Sequence, residues 1–260
     1  MTTGTTPTDD EFDLSGRRAL VTGASRGIGR AIATAFARRG AAVLGVARNA
    51  DSLAETKASA DGLPGSIDVL VADLRSPDSI SQAVEEANTR LGGLDILVNN
   101  AADDHESRIE DTDLSTWQRV LELNLQSCFL LTQAASPYLK ADGGGKVINL
   151  SSMLGTVAVR EDVAYISAKH GLIGLTRATA LEWARKNVQV NALAPGFVET
   201  EMLAPSLADP DIAAYMRRTT PAGRVAQPEE IASAAVFLAS RGSDFMTGQT
   251  LVVDGGYTAQ

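Results

Sequence analysis

Seven short apolar runs punctuate this chain, and stretches with helical spacing lie between them. The runs are Ala19–Val21, Ala42–Val46, Val69–Val71, Ile96–Val98, Val147–Leu150, Val188–Ala192 and Leu251–Val253. Helical stretches include Ile28–Arg39 and Ile80–Leu91. Strands that are apolar along their length are buried on both faces, and strands alternating with helices are parallel. The pattern predicts an α/β fold: one parallel sheet with helices on both sides. Ser76-Pro77-Asp78 marks a helix start, with a capping hydroxyl, a proline suited to the first turn and an acid at the positive helix end. Pro195 to Val225 holds four prolines, Pro195, Pro205, Pro210 and Pro221, and reads as a long irregular segment placed to act as a lid.

The first strand runs into Thr22-Gly23-Ala24-Ser25-Arg26-Gly27-Ile28-Gly29 and then a helix. Glycines let a backbone turn sharply and approach a pyrophosphate, which the amides and dipole of a helix start can hold. The spacing differs from the usual Gly-x-Gly-x-x-Gly, so its weight comes from its place after the first strand. An acid at the end of the second strand would bind an adenosine ribose 2′-hydroxyl and favour NAD(H). The chain has Val46-Ala47-Arg48-Asn49 there. Arg48, joined by Arg26, suits a 2′-phosphate, so the expectation is NADP(H) preferred, with NAD(H) as the alternative. Asp73-Leu74 follows the third strand, where Asp73 is placed to accept from the adenine amino group. Asn99-Asn100-Ala101 ends the fourth, where Asn100 supports the turn.

Tyr165-Ile-Ser-Ala-Lys169 stands thirteen residues after Ser152. Residues four apart share a helix face, so the phenol and the ammonium point into one site. The charge of Lys169 is expected to lower the Tyr165 pKa, making a proton donor for a substrate oxygen. Ser151 competes with Ser152, but strand alternation sends it to the opposite face.

Together these motifs resemble the short-chain dehydrogenase/reductase family, from about Leu14 to Tyr257. The resemblance rests on the glycine loop, Asp73-Leu74, Asn99-Asn100-Ala101, Asn124, Ser152, Tyr165, Lys169 and Pro195-Gly196. It implies a single Rossmann-type doubly wound domain over residues 14–260 with a seven-stranded parallel sheet, a flexible tail over 1–13, a lid over about 196–225 and a homotetramer. It implies that Tyr165 exchanges the proton and Ser152 stabilises the developing alkoxide. Lys169 would hold the nicotinamide ribose, and Asn124 would anchor a water leading from Lys169 to solvent. Ser25, Ile28, Ala101, Gly196, Val198 and Thr200 join the cofactor contacts, with the Val198 backbone on the nicotinamide amide. Ala102 departs from the family, which carries glycine there, and its Cβ restricts the backbone. The last strand, ending at Asp254-Gly-Gly256, would serve tetramer contacts.

Within the family the chain looks most like the 3-oxoacyl-(acyl-carrier-protein) reductases, through Pro195–Met202 and Pro221–Arg224. Dehydrogenases of small ketones, alcohols, polyols and sugar acids share much of this. A non-catalytic NADPH-binding regulator is the reading of another class, and retention of all four catalytic residue types argues against it. A net charge of −9 argues against nucleic acid and anionic membranes as partners. It also leaves a carrier protein little basic surface to dock on: the Lys140–Lys146 segment and Lys186 are weak candidates. The single cysteine, Cys128, permits no intrachain disulfide, and with His105 and His170 it shows no zinc spacing. The start lacks the regions of a signal peptide and no run reaches the roughly 20 residues of a membrane span, so a cytoplasmic protein is expected. The insert Asp103–Asp113 is strongly acidic and reads first as a solvated loop, otherwise as a lining of the substrate entrance.

Overall fold

The computed structural model describes residues 10–141 and 143–260. Seven strands form one parallel sheet: β1 (Arg18–Thr22), β2 (Ala42–Ala47), β3 (Ser66–Val71), β4 (Ile96–Asn99), β5 (Gly145–Leu150), β6 (Val188–Pro195) and β7 (Thr250–Val253). Their order is β3-β2-β1-β4-β5-β6-β7. The chain therefore reverses direction across the sheet between β1 and β4, and ligands of open α/β sheets bind where that switch occurs, beyond the strands' carboxyl ends.

Side-chain alternation sorts the core into two layers. Ala19, Val21, Val43, Ile96, Val98, Ile148 and Leu150 pack with helices α1 (Gly27–Arg38) and α9 (Pro228–Ala239) on one face. Leu20, Leu44, Val46, Leu97, Val147 and Val190 face the other way, against α3 (Pro77–Leu91), α5 (Ser127–Leu139) and α6 (Val163–Trp183). The central strands β4, β5 and β6 are buried throughout, as continuous apolar runs require.

Helix ends follow local chemistry. Ser76 caps α3, Pro77 begins it, and Gly92 at φ 73° ends it in the left-handed region. Asn49 caps α2 (Ala50–Ala58) and Asp113 caps α4 (Leu114–Leu121). The segment expected to be irregular instead holds two short helices, α7 (Ala204–Ala208) and α8 (Pro210–Thr219). Pro205 and Pro210 sit in their first turns, where the missing N–H costs nothing, and Asp209 caps α8. Prolines here start helices rather than prevent them.

Residues 1–9 of the expected tail lie outside the described residues. Residues 10–13 are tied to the domain: Asp10 pairs with Arg39 at 2.9 Å, and the Phe12 ring sits 6.4 Å from that of Phe237. Among the described residues, no helix is long and apolar enough to cross a membrane.

The tightest packing near the switch is at Gly29, inside α1. A Cβ there would lie 2.2 Å from the Gly23 carbonyl oxygen and 2.5 Å from Asn100 Nδ2. Gly29→Ala gains about 1 kcal/mol of helix propensity. It loses about 3 kcal/mol by overpacking against main chain that cannot rotate away. The expected net loss is about 2 kcal/mol in chemical denaturation. A variant as stable as the parent would show that the loop yields freely.

Candidate active site

A cavity of about 620 Å³ opens at the switch point, lined by Gly23, Ser25, Arg26, Gly27, Ile28 and Gly29 from the first loop. Arg48, Asp73, Leu74, Asn100, Ala101, Pro195 and Thr200 continue its wall, which reaches Tyr165 and Lys169. Gly23 (φ 65°) and Gly27 (φ 52°) take the left-handed backbone that the turn requires. The Asn100 side chain donates to the Thr22 carbonyl at 2.8 Å and to that of Gly23 at 3.3 Å. Asn100 thus braces the glycine loop from below. The Thr22 hydroxyl donates to the Val98 carbonyl at 3.1 Å and accepts from the Asn100 and Ala101 amides at 2.9 and 3.1 Å. This role of Thr22 escaped the sequence reading, although a hydroxyl at a strand end facing a second strand end was the available signal.

Four helices, α2, α3, α4 and α8, carry side-chain caps. The start of α1 has no side-chain cap and no acid in its first turn, which leaves its amides facing the cavity. Arg26 and Arg48 are exposed on the cavity wall, and among the described residues neither forms an ion pair. Asp73 is exposed and accepts from the Arg75 amide at 3.1 Å, whereas Leu74 is buried in the core. Gly196 passes so close to Asp254 that a Cβ would lie 2.7 Å from its Cα. Val198 is buried and bridges Ala226, and Thr200 lies beside Gly27. Positive φ outside glycine, among the described residues, occurs only at Glu161 and Asn187. Ala102 therefore sits in ordinary backbone territory, and its Cβ does not strain the turn.

Beyond β5, Ser151 and Ser152 diverge. Ser151 Oγ donates to the Lys169 carbonyl at 3.2 Å, fastening the strand end to α6, although Ser151 still lines the cavity. Ser152 Oγ accepts from the Leu154 amide at 3.1 Å, and its hydroxyl lies near enough to the Tyr165 phenol to favour the phenolate. On α6, Tyr165 and Lys169 stand one turn apart, with Lys169 Nζ 5.3 Å from the phenol ring centroid. Nζ donates to the Leu150 carbonyl at 2.7 Å. Burial lowers the Lys169 ammonium to about 8, while Cys128 and Asp104 pull it upward.

The tyrosine departs from expectation. Its pKa lies above the ordinary value: desolvation raises it most, Asp104 raises it further, the Ser152 hydrogen bond opposes the rise, and Asp162 adds to it. Lys169 does not set the balance, because burial lowers its ammonium to about 8, so that it loses its charge before the phenol titrates, and two carboxyl groups act on the same phenol.

Those carboxyl groups were not singled out in the sequence. Asn124 is buried in a π-turn, Glu122–Gln126, between α4 and α5. Its Oδ1 accepts from the Asp103 amide at 3.1 Å and its Nδ2 donates to the Asp103 carbonyl at 2.6 Å. Its side chain therefore splints the acidic insert, a role the water-anchor expectation did not include. The Asp103 carboxylate pairs with Arg75 at 3.0 Å and with Arg119. The insert is thus built into the site wall rather than being only a solvated loop. The next residue, Asp104, meets Asp162, which begins α6 and bridges Ser107. Burial raises Asp104, and burial plus the neighbouring charges of Asp104 and Glu106 push Asp162 up to about 8.

The sequence profile of a family described as "Enoyl-(Acyl carrier protein) reductase" matches residues 23–258. A gluconate 5-dehydrogenase of Gluconobacter oxydans is 39% identical over 251 residues, 96% of this chain and 97% of that protein. A 3-oxoacyl-(acyl-carrier-protein) reductase of Thermotoga maritima is 36% identical over 243 residues, 94% of this chain and 98% of that one. The crystal structure of a gluconate 5-dehydrogenase from Burkholderia cenocepacia, in complex with NADP and tartrate, superposes with a TM-score of 0.91 at 37% identity, covering 96% of this chain and 98% of that one. With this fold and this site, the chain belongs to the short-chain dehydrogenase/reductase family of oxidoreductases.

The raised Asp162 has a consequence for stability. Its unfolded value is about 3.9. Between that value and about 8 the folded chain keeps a proton that the unfolded chain has released, so stability falls as pH rises through this window. Asn does not titrate. In thermal melts, the Tm of Asp162→Asn relative to the parent is expected to climb from pH 5 to pH 8 and then level off. A pH-independent difference would contradict the raised carboxyl.

Proposed function

We propose that this chain is an NADP(H)-dependent oxidoreductase that interconverts a carbonyl and a secondary alcohol, with Tyr165 as general acid and base. The observation that carries this reading is Tyr165 and Lys169, one turn apart on α6 with Ser152 beside the phenol, at the end of a cavity floored by an uncapped helix start. The residues fit a dinucleotide. Gly23, Gly27 and Gly29 leave room for a close approach, the α1 amides suit the pyrophosphate, and Arg26 and Arg48 suit a 2′-phosphate. The NADP bound by the Burkholderia relative supports the same preference. Asp73, Leu74, Asn100 and Ala101 would flank the adenine end and the turn beneath it. Pro195, Gly196, Val198 and Thr200 would border the nicotinamide. When bound, the nicotinamide exchanges hydride with the substrate carbon.

In reduction, Tyr165 gives its proton to the carbonyl oxygen and Ser152 stabilises the developing alkoxide. Lys169 holds the cofactor ribose, with its ammonium one turn from the phenol. Asn124 keeps the wall of the site in place and, through its turn, holds the water leading to Lys169. Residues 196–225, with α7 and α8, act as the lid.

Two substrate classes stand behind this chemistry, 3-oxoacyl thioesters and small ketones, polyols or sugar acids, and both have relatives in their favour. One observation bears on carrier-protein docking. Lys146 is buried and paired with Asp244 at 2.7 Å. It is the second residue of β5, at the amino end of the strand, and Ser152 lies beyond the carboxyl end. This removes one of the few cations expected on a docking face and favours a small substrate.

A homotetramer and a cytoplasmic location complete the proposal. Exposed Leu114, Phe129 and Leu181 on α4, α5 and α6, and Phe245 and Val252 around β7, supply apolar surface for two kinds of contact.

Tyr165→Phe is expected to cut kcat by about 10³-fold, and Ser152→Ala by about 10²-fold. Ser151→Ala should mainly lower stability. Reversal of the two serines in steady-state assays would overturn the assignment. Arg48→Ala should raise KM for NADPH about tenfold and leave NADH nearly unchanged. Equal efficiency of the parent with both cofactors would remove the NADP(H) preference.

A further inference from the structure

Asp162 stands three residues before Tyr165 and immediately precedes the first turn of α6. It is only 6% exposed, and its Oδ1 is buried without a hydrogen-bond partner among the described residues. A buried acceptor left unpaired calls for a ligand or a water. Its other neighbour is the Asp104 carboxyl group, which the Asn124 splint on Asp103 brings to the same place. Both groups act on the Tyr165 phenol, and Asp104 also acts on Lys169. The other charges acting on the pair are Asp103, itself paired with Arg75 and Arg119, and Glu106 on the insert. No cation besides Lys169 is among the groups acting on the pair.

Resting on the oxidoreductase reading above, we propose that Asp104 and Asp162 form a substrate subsite that hydrogen-bonds a hydroxyl on the carbon beside the reacting carbinol. The site would choose vicinal diols and polyols over plain alcohols and over 2-hydroxycarboxylates.

The chemistry follows from what two carboxyl groups with one shared proton can offer. The protonated carboxyl donates, the ionised one accepts, and the free Oδ1 accepts again. A hydroxyl is both donor and acceptor and satisfies such a pair. A methylene in its place leaves the buried oxygen unpaired, and a carboxylate meets a like charge. The shared proton supports this reading, because at neutral pH Asp162 still carries it.

The test uses the full chain with NADP⁺ and three four-carbon probes that share a secondary carbinol: 2,3-butanediol, 2-butanol and 2-hydroxybutanoate. The parent should favour the diol over both others by about 10- to 100-fold in kcat/KM. Asp162→Val, which removes the hydrogen bonds, should bring diol and monoalcohol within about threefold, mainly through the KM of the diol. Asp162→Asn, which keeps hydrogen bonding and loses the titrating proton, should retain most of the diol preference, and Asp104→Asn, which removes the ionised charge, should admit 2-hydroxybutanoate. Melting curves verify that each variant is folded, and the parent's substrate order stands as a test even where a variant fails. Turnover of 2-butanol without preference for the diol would overturn the subsite and leave the reaction assignment intact. A diol preference kept in a folded Asp162→Val would overturn it as well. Failure to turn over all three would overturn the reaction reading and the subsite together.

Discussion

The hydroxyl of Thr22 ties together the two chain segments that the fold drives apart. At the switch point β1 and β4 lie side by side, but the loops leaving them go to opposite faces of the sheet. One hydroxyl donates to the end of β4 and accepts two amides from the turn beyond it. A hydroxyl has one proton and two lone pairs, and here all three are used. Asn100 returns the connection by gripping the carbonyls of Thr22 and Gly23. The glycine loop, the start of α1 and the floor of the cavity take their positions from this clamp. Gly29 must be bare because the clamp brings Asn100 and Gly23 within 2.5 and 2.2 Å of where its Cβ would stand.

A second clamp organises the other half of the site. Asn124 binds both main-chain groups of Asp103 as a neighbouring strand would, and two arginines neutralise the Asp103 carboxylate. The π-turn lets a buried asparagine project sideways from a continuous helical segment formed by α4 and α5. The result is a rigid wall that delivers a further carboxyl group, Asp104, to the region of Tyr165 and Lys169. The strongly acidic run in the sequence is thus divided. Asp103 is structural, Asp113 caps α4, and Asp104 faces the site.

The sheet and its seven strands were legible because backbone makes them. Continuous apolar runs name the strands, and a glycine loop between a strand and a helix names the turn that floors the cavity. The Tyr165–Lys169 pair was legible because a single helix carries both residues. The electrostatics around it were not. Asp104 and Asp162 are far apart in sequence: Asp104 is one acid among several in the insert, and Asp162 belongs to no local pattern. Only the Ser107–Asp162 bridge and the Asn124 splint bring them together. Sequence reasoning therefore took Lys169 as the dominant charge on the phenol, when burial and two distant carboxyl groups outweigh it. The proline-rich segment after β6 misled for a related reason. Proline signals irregularity only when its position relative to a helix start is unknown.

The raised tyrosine has a direct consequence for how the site works. The phenol holds its proton through the physiological range, which is the state that reduction needs. Oxidation needs the opposite state, so something must lower the phenol. Desolvation is set by the fold, and Ser152 already stands beside the phenol. The charge of Asp104 is the largest contribution that a ligand can alter. Any group that donates a hydrogen bond to Asp104 withdraws part of its field from Tyr165 and strengthens the relative hold of Lys169. Substrate recognition and proton transfer therefore act on one carboxylate. An acidic wall that holds the phenol protonated makes its release contingent on a donor arriving.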